Sequence, residues 1–162
     1  KVQPGGVLEI GMGSMLSGVV YTNVPVRMNY EISLEARRTM GSDFFCGLTV
    51  PVDSNCCSLI VGGWGGSLTG ISSLDGMDAS ENETTGSYEF ENGRWYTIKM
   101  RVTPERLEAW VDDKRIVNTQ IVERRGGMRP GDIEYCMPLG LATWQTKAEI
   151  RNVRVKKLPK VE

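Results

Sequence analysis

Alternation with a period of two constrains this chain more than any other feature. Over residues 28–37, Met28, Tyr30, Ile32, Leu34 and Ala36 share one face; Asn29, Glu31, Ser33, Glu35 and Arg37 share the other. Side chains on a strand point alternately to opposite sides, so this is a strand with one buried and one wet face. Residues 94–103 repeat the pattern, with Tyr96, Ile98, Met100 and Val102 inward. Leu107, Ala109 and Val111 then face in, against Glu108, Trp110 and Asp112. Residues 44–50, 57–64, 138–145 and 148–158 read as further strands. The apolar phase of the last slips between Ile150 and Val153, which predicts a bulge. Shorter strands are expected over 7–10, 18–21, 68–74, 87–90 and 115–122. Turn signals such as Asn92-Gly93 and Asp112-Asp113 separate them. No segment sustains a helical period. The expected fold is an all-β antiparallel sandwich or barrel, in a single domain over residues 1–162.

Composition narrows the function. The chain carries 19 basic and 20 acidic side chains for a net charge of −1, with the basic ones dispersed. It has no electrostatic footprint for nucleic acid, and no apolar run long enough to span a bilayer. The start, Lys1-Val2-Gln3-Pro4, contains no signal-peptide core. Four cysteines (Cys46, Cys56, Cys57, Cys136) show no CxxC pair, and there is no histidine. A zinc site is therefore not expected. The thiols read as buried, with a single disulfide as the alternative. Without histidine, Ser-His-Asp and Cys-His nucleophile systems are excluded. Catalysis must then run on Asp, Glu, Lys, Tyr, Cys or a metal.

One stretch concentrates chemistry. Leu59-Ile60-Val61 leads into four glycines that bracket Trp64, and an acidic loop follows with Asp75, Asp78, Glu81, Asn82 and Glu83. Glycine permits sharp bends and close approach. A flat ring beside clustered oxygens suits a sugar; the same residues equally suit a strand corner and a solvated loop. Asn82-Glu83-Thr84 also fits the N-glycosylation acceptor pattern.

The hairpin from Gly93-Arg94-Trp95-Tyr96-Thr97-Ile98 to Leu107-Glu108-Ala109-Trp110-Val111-Asp112-Asp113, with the closing Ile150-Arg151-Asn152-Val153-Arg154-Val155, resembles the back half of a concanavalin A-like, laminin-G-like two-sheet jelly roll. Asn29-Tyr30-Glu31-Ile32-Ser33-Leu34-Glu35-Ala36-Arg37 and Asp43-Phe44-Phe45-Cys46-Gly47-Leu48 resemble the opening of the 3-keto-disaccharide hydrolase-like domains within that superfamily. The likeness covers residues from about 28 to 158. The usual Phe-Asn-Gly-Lys-Asp-Leu-x-x-Trp-like opening is absent, and so is the histidine associated with metal chemistry in that family. The resemblance implies an antiparallel jelly-roll sandwich that binds carbohydrate on its concave sheet and hydrolyses 3-keto glycosides. It also implies an extracytoplasmic setting, periplasmic or secreted. A non-catalytic carbohydrate-binding module and a laminin-G-like protein-interaction domain are the alternatives.

Trp64, Trp95, Trp110 and Trp144 all point away from the inner faces of their strands by alternation, and a soluble monomer seldom exposes several tryptophans without reason. Trp64 and Trp144 are candidate platforms for sugar rings, or parts of a second small core covered by loops. Trp95 and Trp110 read as covered. Glu31 and Glu35 lie roughly 13 Å apart from the strand rise, wide for a glycosidase pair. Candidate catalytic carboxylates are Glu35 and Asp78. Candidate ligand-binding residues are Arg37, Asp43, Trp64, Asp75, Asp78, Asn82, Glu83 and Trp144, with Arg37 beside Glu35 read as a strand-surface ion pair. No metal site is assigned. The oxygen-rich loop could take calcium, but its spacing matches no twelve-residue calcium loop.

Overall fold

The computed structural model describes residues 1–160. Among these described residues, thirteen strands form two antiparallel sheets. They are β1 (Val2–Gln3), β2 (Val7–Ile10), β3 (Leu16–Tyr21), β4 (Tyr30–Met40), β5 (Cys46–Val52), β6 (Asn55–Gly63), β7 (Leu68–Ser72), β8 (Gly86–Ser87), β9 (Tyr96–Val102), β10 (Arg106–Val111), β11 (Lys114–Gln120), β12 (Leu139–Trp144) and β13 (Lys147–Lys157). One sheet runs β1-β2-β13-β4-β9-β10-β11, and the other β3-β12-β5-β6-β7-β8. This is the expected two-sheet jelly-roll sandwich.

The alternating runs become the central strands. Tyr30, Ile32, Leu34 and Ala36 of β4 and Tyr96, Ile98, Met100 and Val102 of β9 are buried against Cys46, Leu48 and Val50 of β5 and Cys57, Leu59 and Val61 of β6. Burial of apolar side chains between the two inner faces supplies the main stabilisation. The expected slip in the last strand is present as a register shift between Arg151 and Arg154. Strand boundaries differ from expectation by a few residues. Pro51 and Val52 extend β5, so only Asp53-Ser54 turns the chain into β6. Two features were not expected: the short β1, and a 3₁₀ turn over Asp132–Cys136. All four cysteines are free and buried. Burial pushes the Cys46 and Cys57 thiols up to about 12.

A second, smaller core lies on the outer face of the six-stranded sheet. Phe44, Ile60, Ala79, Ile133, Cys136 and Ala142 meet there, with Leu16, Leu68 and Trp144 against them. The sheet presents small residues beneath this cover. A Cβ on Gly140 would stand 2.5 Å from the Cys136 carbonyl oxygen, and one on Gly18 3.2 Å from the Cys136 sulfur. Only glycine lets the 3₁₀ segment sit this close to the sheet.

Candidate functional site

The second core does not close completely. Between its cover and the sheet lies a cleft of about 460 Å³, floored by Phe44, Ile60 and Ile133 and walled by Trp64 and Trp144. That volume lies in the range of small-ligand sites. Trp144 comes from the end of β12, where its backbone N–H donates to the Phe44 carbonyl at 3.2 Å. Trp64 sits at the tip of the β6–β7 connection and is 45% exposed. Its φ of 46° and that of Gly65, 90°, give both central residues of the turn the left-handed conformation, as in a type I′ turn. A bulky residue adopts this conformation only where its surroundings hold it there. The holding contacts are visible. Gly66 N–H donates to the Gly63 carbonyl at 3.1 Å, and Gly65 N–H donates to Asp43 Oδ2 at 3.3 Å.

Asp43 is thereby a bracket. Its Oδ1 accepts the Phe44 N–H at 2.7 Å while Oδ2 takes Gly65. Behind it stands Arg38, buried at 6% exposure. Arg38 donates to the Asp43 carbonyl at 3.0 Å, the Phe90 carbonyl at 3.1 Å and Asn92 Oδ1 at 2.5 Å. Its desolvation moves the guanidinium pKa downward, and neutral oxygens rather than a carboxylate carry the burden of solvating it. Across the cleft, Arg129 lies 5.7 Å from the Trp64 ring centroid and pairs with Asp78 at 2.9 Å. Asp78 also accepts from the Ser72 hydroxyl at 2.6 Å and the Ala79 N–H at 2.7 Å. Ser72, Arg129 and Asp132 all line the cleft. Among the described residues, Asp132 is the lining carboxylate whose oxygens take part in no hydrogen bond or ion pair, whereas those of Asp43 are taken by backbone N–H groups.

The structure thus brings Trp64, Trp144 and Asp43 together, with Asp78 one contact behind the wall, and separates the rest. Glu35 and Arg37 lie on the outer face of the opposite sheet. Glu35 accepts from Arg151 and Asn152 at 2.8 and 2.6 Å, and these bonds hold its pKa below the usual carboxylate value. Arg37 pairs not with Glu35 but with Glu149 at 2.7 Å. It and Arg151 stack over Trp95, with ring centroids 4.6 and 3.8 Å away. Lys99 and Arg101 cover Trp110. Cations, rather than loops, shelter these two tryptophans.

The acidic loop also resolves into structural roles. Arg124 binds both Asp75 and Glu83, and its hydrogen bond holds Glu83 down at about 2. Asn82 is buried. Its amide nitrogen donates to the carbonyls of Ile71, Met77 and Asp78, and its oxygen accepts from Thr84. A committed, buried amide does not fit a glycosylation acceptor. Nor do the side-chain oxygens of Asp75, Asp78, Asn82 and Glu83 fit calcium: they are turned toward arginines, hydroxyls and backbone donors rather than toward a common centre. Among the described residues, no three His, Cys, Asp or Glu side chains gather as metal ligands. The residues present do not fit the metal and histidine chemistry that the family resemblance suggested.

Sequence reasoning missed Ser72, Arg129 and Asp132. Arg129 and Asp132 sit in an irregular loop with no periodicity to mark their direction. Arg38 had a signal: continuing the alternation of β4 by one step past Arg37 turns Arg38 inward.

The architecture is that of the two-sheet jelly rolls found among carbohydrate-active proteins. Carbohydrate-binding module CBM66 from Bacillus subtilis superposes with a TM-score of 0.57 at 12% identity, covering 94% of this chain and 96% of that one. An apo Crh5 transglycosylase gives 0.59 at 11%, covering 97% and 78%. A sialidase gives 0.61 at 15%, covering 96% of this chain but only 16% of its own. Identities this low establish the fold alone. No curated protein sequence matches the chain. Residues 16–156 match the model of the 3-keto-alpha-glucoside-1,2-lyase-like domain, and the chain belongs to that family. Among the described residues no helix is long and apolar enough to cross a membrane.

Proposed function

We propose that the cleft between Trp64 and Trp144 binds a glycoside, and that the sugar it takes carries a ketone at C3. The carrying observation is the cleft itself: two indoles face a space of about 460 Å³ that also holds Arg129, Asp43 and Asp132. Aromatic faces pack on the C–H faces of sugar rings, while a guanidinium and carboxylates hold hydroxyls and a carbonyl. The family description supports the keto sugar and the bond broken.

The chemistry of such a sugar is simple. A C3 ketone acidifies the C2 hydrogen. Removing that proton, while the bond from C1 to the leaving oxygen breaks, forms a C1=C2 double bond. No water is consumed, and the proton ends on the leaving oxygen. Asp132, the uncommitted carboxylate of the cleft, is our candidate base. Arg129 is placed to steady the developing enolate oxygen. The same sugar cleaved by water would give a reducing 3-keto sugar instead.

A second reading, a binding module without turnover, is favoured by one observation. Both oxygens of Asp43 accept backbone N–H groups, which leaves a single uncommitted carboxylate in the cleft.

The test is to incubate the protein with 3-keto and unoxidised disaccharides, with and without calcium or a transition metal, and to separate the products. A product one water lighter than the free keto sugar, formed only from the keto substrate and lost in Asp132→Asn, supports the lyase. Reducing sugar supports the hydrolase. Binding without product supports the module. In every case Trp64→Ala should weaken sugar binding about tenfold, roughly 1.4 kcal/mol, with little change in melting temperature because the ring is half exposed. Unaltered affinity in Trp64→Ala would remove the cleft from consideration.

A further inference from the structure

The free edges of the two sheets are not alike. Proteins blunt an exposed strand edge by shortness, by charge or by covering it, because its unpaired N–H and C=O groups template pairing with another chain. β1 and β8 are two residues long. β11 opens with the exposed Lys114 and Arg115. β13 loses its β2 neighbour after Ile150 and carries Arg154, Lys156 and Lys157 along that free half. β3 has none of these protections. It is the six-residue edge of the second sheet, Leu-Ser-Gly-Val-Val-Tyr. No charged residue occurs between Glu9 and Arg27. Val19, Val20 and Tyr21 are 38%, 45% and 57% exposed. Among the described residues β3 pairs with β12 alone.

We propose that β3 is a self-association edge, pairing antiparallel with β3 of a second copy of this chain to join two six-stranded sheets into one. The occupant follows from charge. A strand meeting its own copy across a two-fold axis sets residue i against residue j and j against i, so a strand carrying charges of one sign would repel itself; this edge is neutral throughout and that obstacle is absent. Its length, about 20 Å at the rise of an antiparallel strand, suffices for a paired ladder. The exposed Val20, on the outer face beside Gly140, and Val19 and Tyr21, on the inner side, would be covered in the same step. A strand-edge contact alone lies at the small end of specific interfaces, so association is concentration-dependent. The two-fold lies normal to the joined sheet. Both outer faces, and hence both clefts, then open to the same side.

The test is light scattering on the eluting protein over a range of concentrations, with amide hydrogen exchange alongside. The expected result is a molar mass that rises to twice the monomer, with exchange at residues 17–21 slowing as it does. Val20→Lys should halve the mass at the same concentration without lowering the melting temperature, since the side chain is already half in water. Tyr21→Lys is the second variant, should the first fail to fold. A monomer at every concentration overturns the proposal, as does a dimer that persists in the folded lysine variants. Neither outcome depends on sugar, so the cleft's function stands or falls separately.

Discussion

Arg38 shows how much one residue can organise. It ties the end of its own strand to two loops by donating to Asp43 in one and to Phe90 and Asn92 in the other, and Asp43 in turn holds the Trp64 turn through Gly65. Arg38→Met would keep the apolar stem and strip the donors, leaving three part-buried oxygens without this partner. The expected cost is ~3 kcal/mol, read by denaturant unfolding. Sugar affinity should fall as well, because the Trp64 turn loses its anchor. Arg38→Lys keeps the charge but not the fork, so it should recover only part of both. Recovery of affinity without recovery of stability would separate the two roles.

At the scale of elements, the cover over the six-stranded sheet decides whether there is a cleft. The 3₁₀ segment lies on Gly140 because nothing larger fits beneath the Cys136 backbone. Gly140→Ala would drive a methyl into that carbonyl, and a backbone atom cannot swing aside as a flexible side chain can. The expected destabilisation is on the order of 2 kcal/mol, measured by thermal melting. Faster amide exchange across residues 131–137 should accompany it. If Gly140→Ala melts with the parent, the close seating of the segment on the sheet is wrong. The strands themselves were legible in sequence because β4, β9 and β10 are half buried and alternate cleanly. This cover was not legible. It is irregular, short and held by contacts to distant strands, so no local period announces it.

For the molecule as a whole, acid is the informative perturbant. Arg124 ties the acidic loop to the loop after β11 through Asp75 and Glu83. The folded-state pKa of Glu83 is depressed to about 2; those of Asp75 and Glu35 are also lowered, by hydrogen bonds from Arg125 and Arg151 respectively. A carboxylate whose pKa is depressed on folding stabilises above its unfolded pKa, and that contribution is lost as pH falls through the folded value. Stability should therefore hold down to the ordinary carboxylate range and decline progressively toward about pH 2. Exposure of these pairs keeps the amplitude small. Melting temperature against pH checks this, and Arg124→Ala should flatten the acid limb. An acid limb unchanged by Arg124→Ala would place the titrating groups elsewhere.

The sequence by itself determined an all-β antiparallel fold and the direction of most side chains. A strand's period of two is local, and it records which residues the core requires. It put Trp64 and Trp144 outside the core and Cys46 within it. What the tertiary structure alone decided is which outward residues share a face. Glu35, Arg37 and Trp64 all point away from the core by the same rule, yet the first two stand on one sheet and the third on the other. Alternation cannot distinguish the two, because membership of a sheet is set by long-range pairing. The same pairing brought Asp43, Trp64, Arg129 and Trp144, which lie far apart in the sequence, around one cleft. The acidic loop met the opposite fate: its oxygens were drawn to arginines that no spacing in the sequence placed beside them.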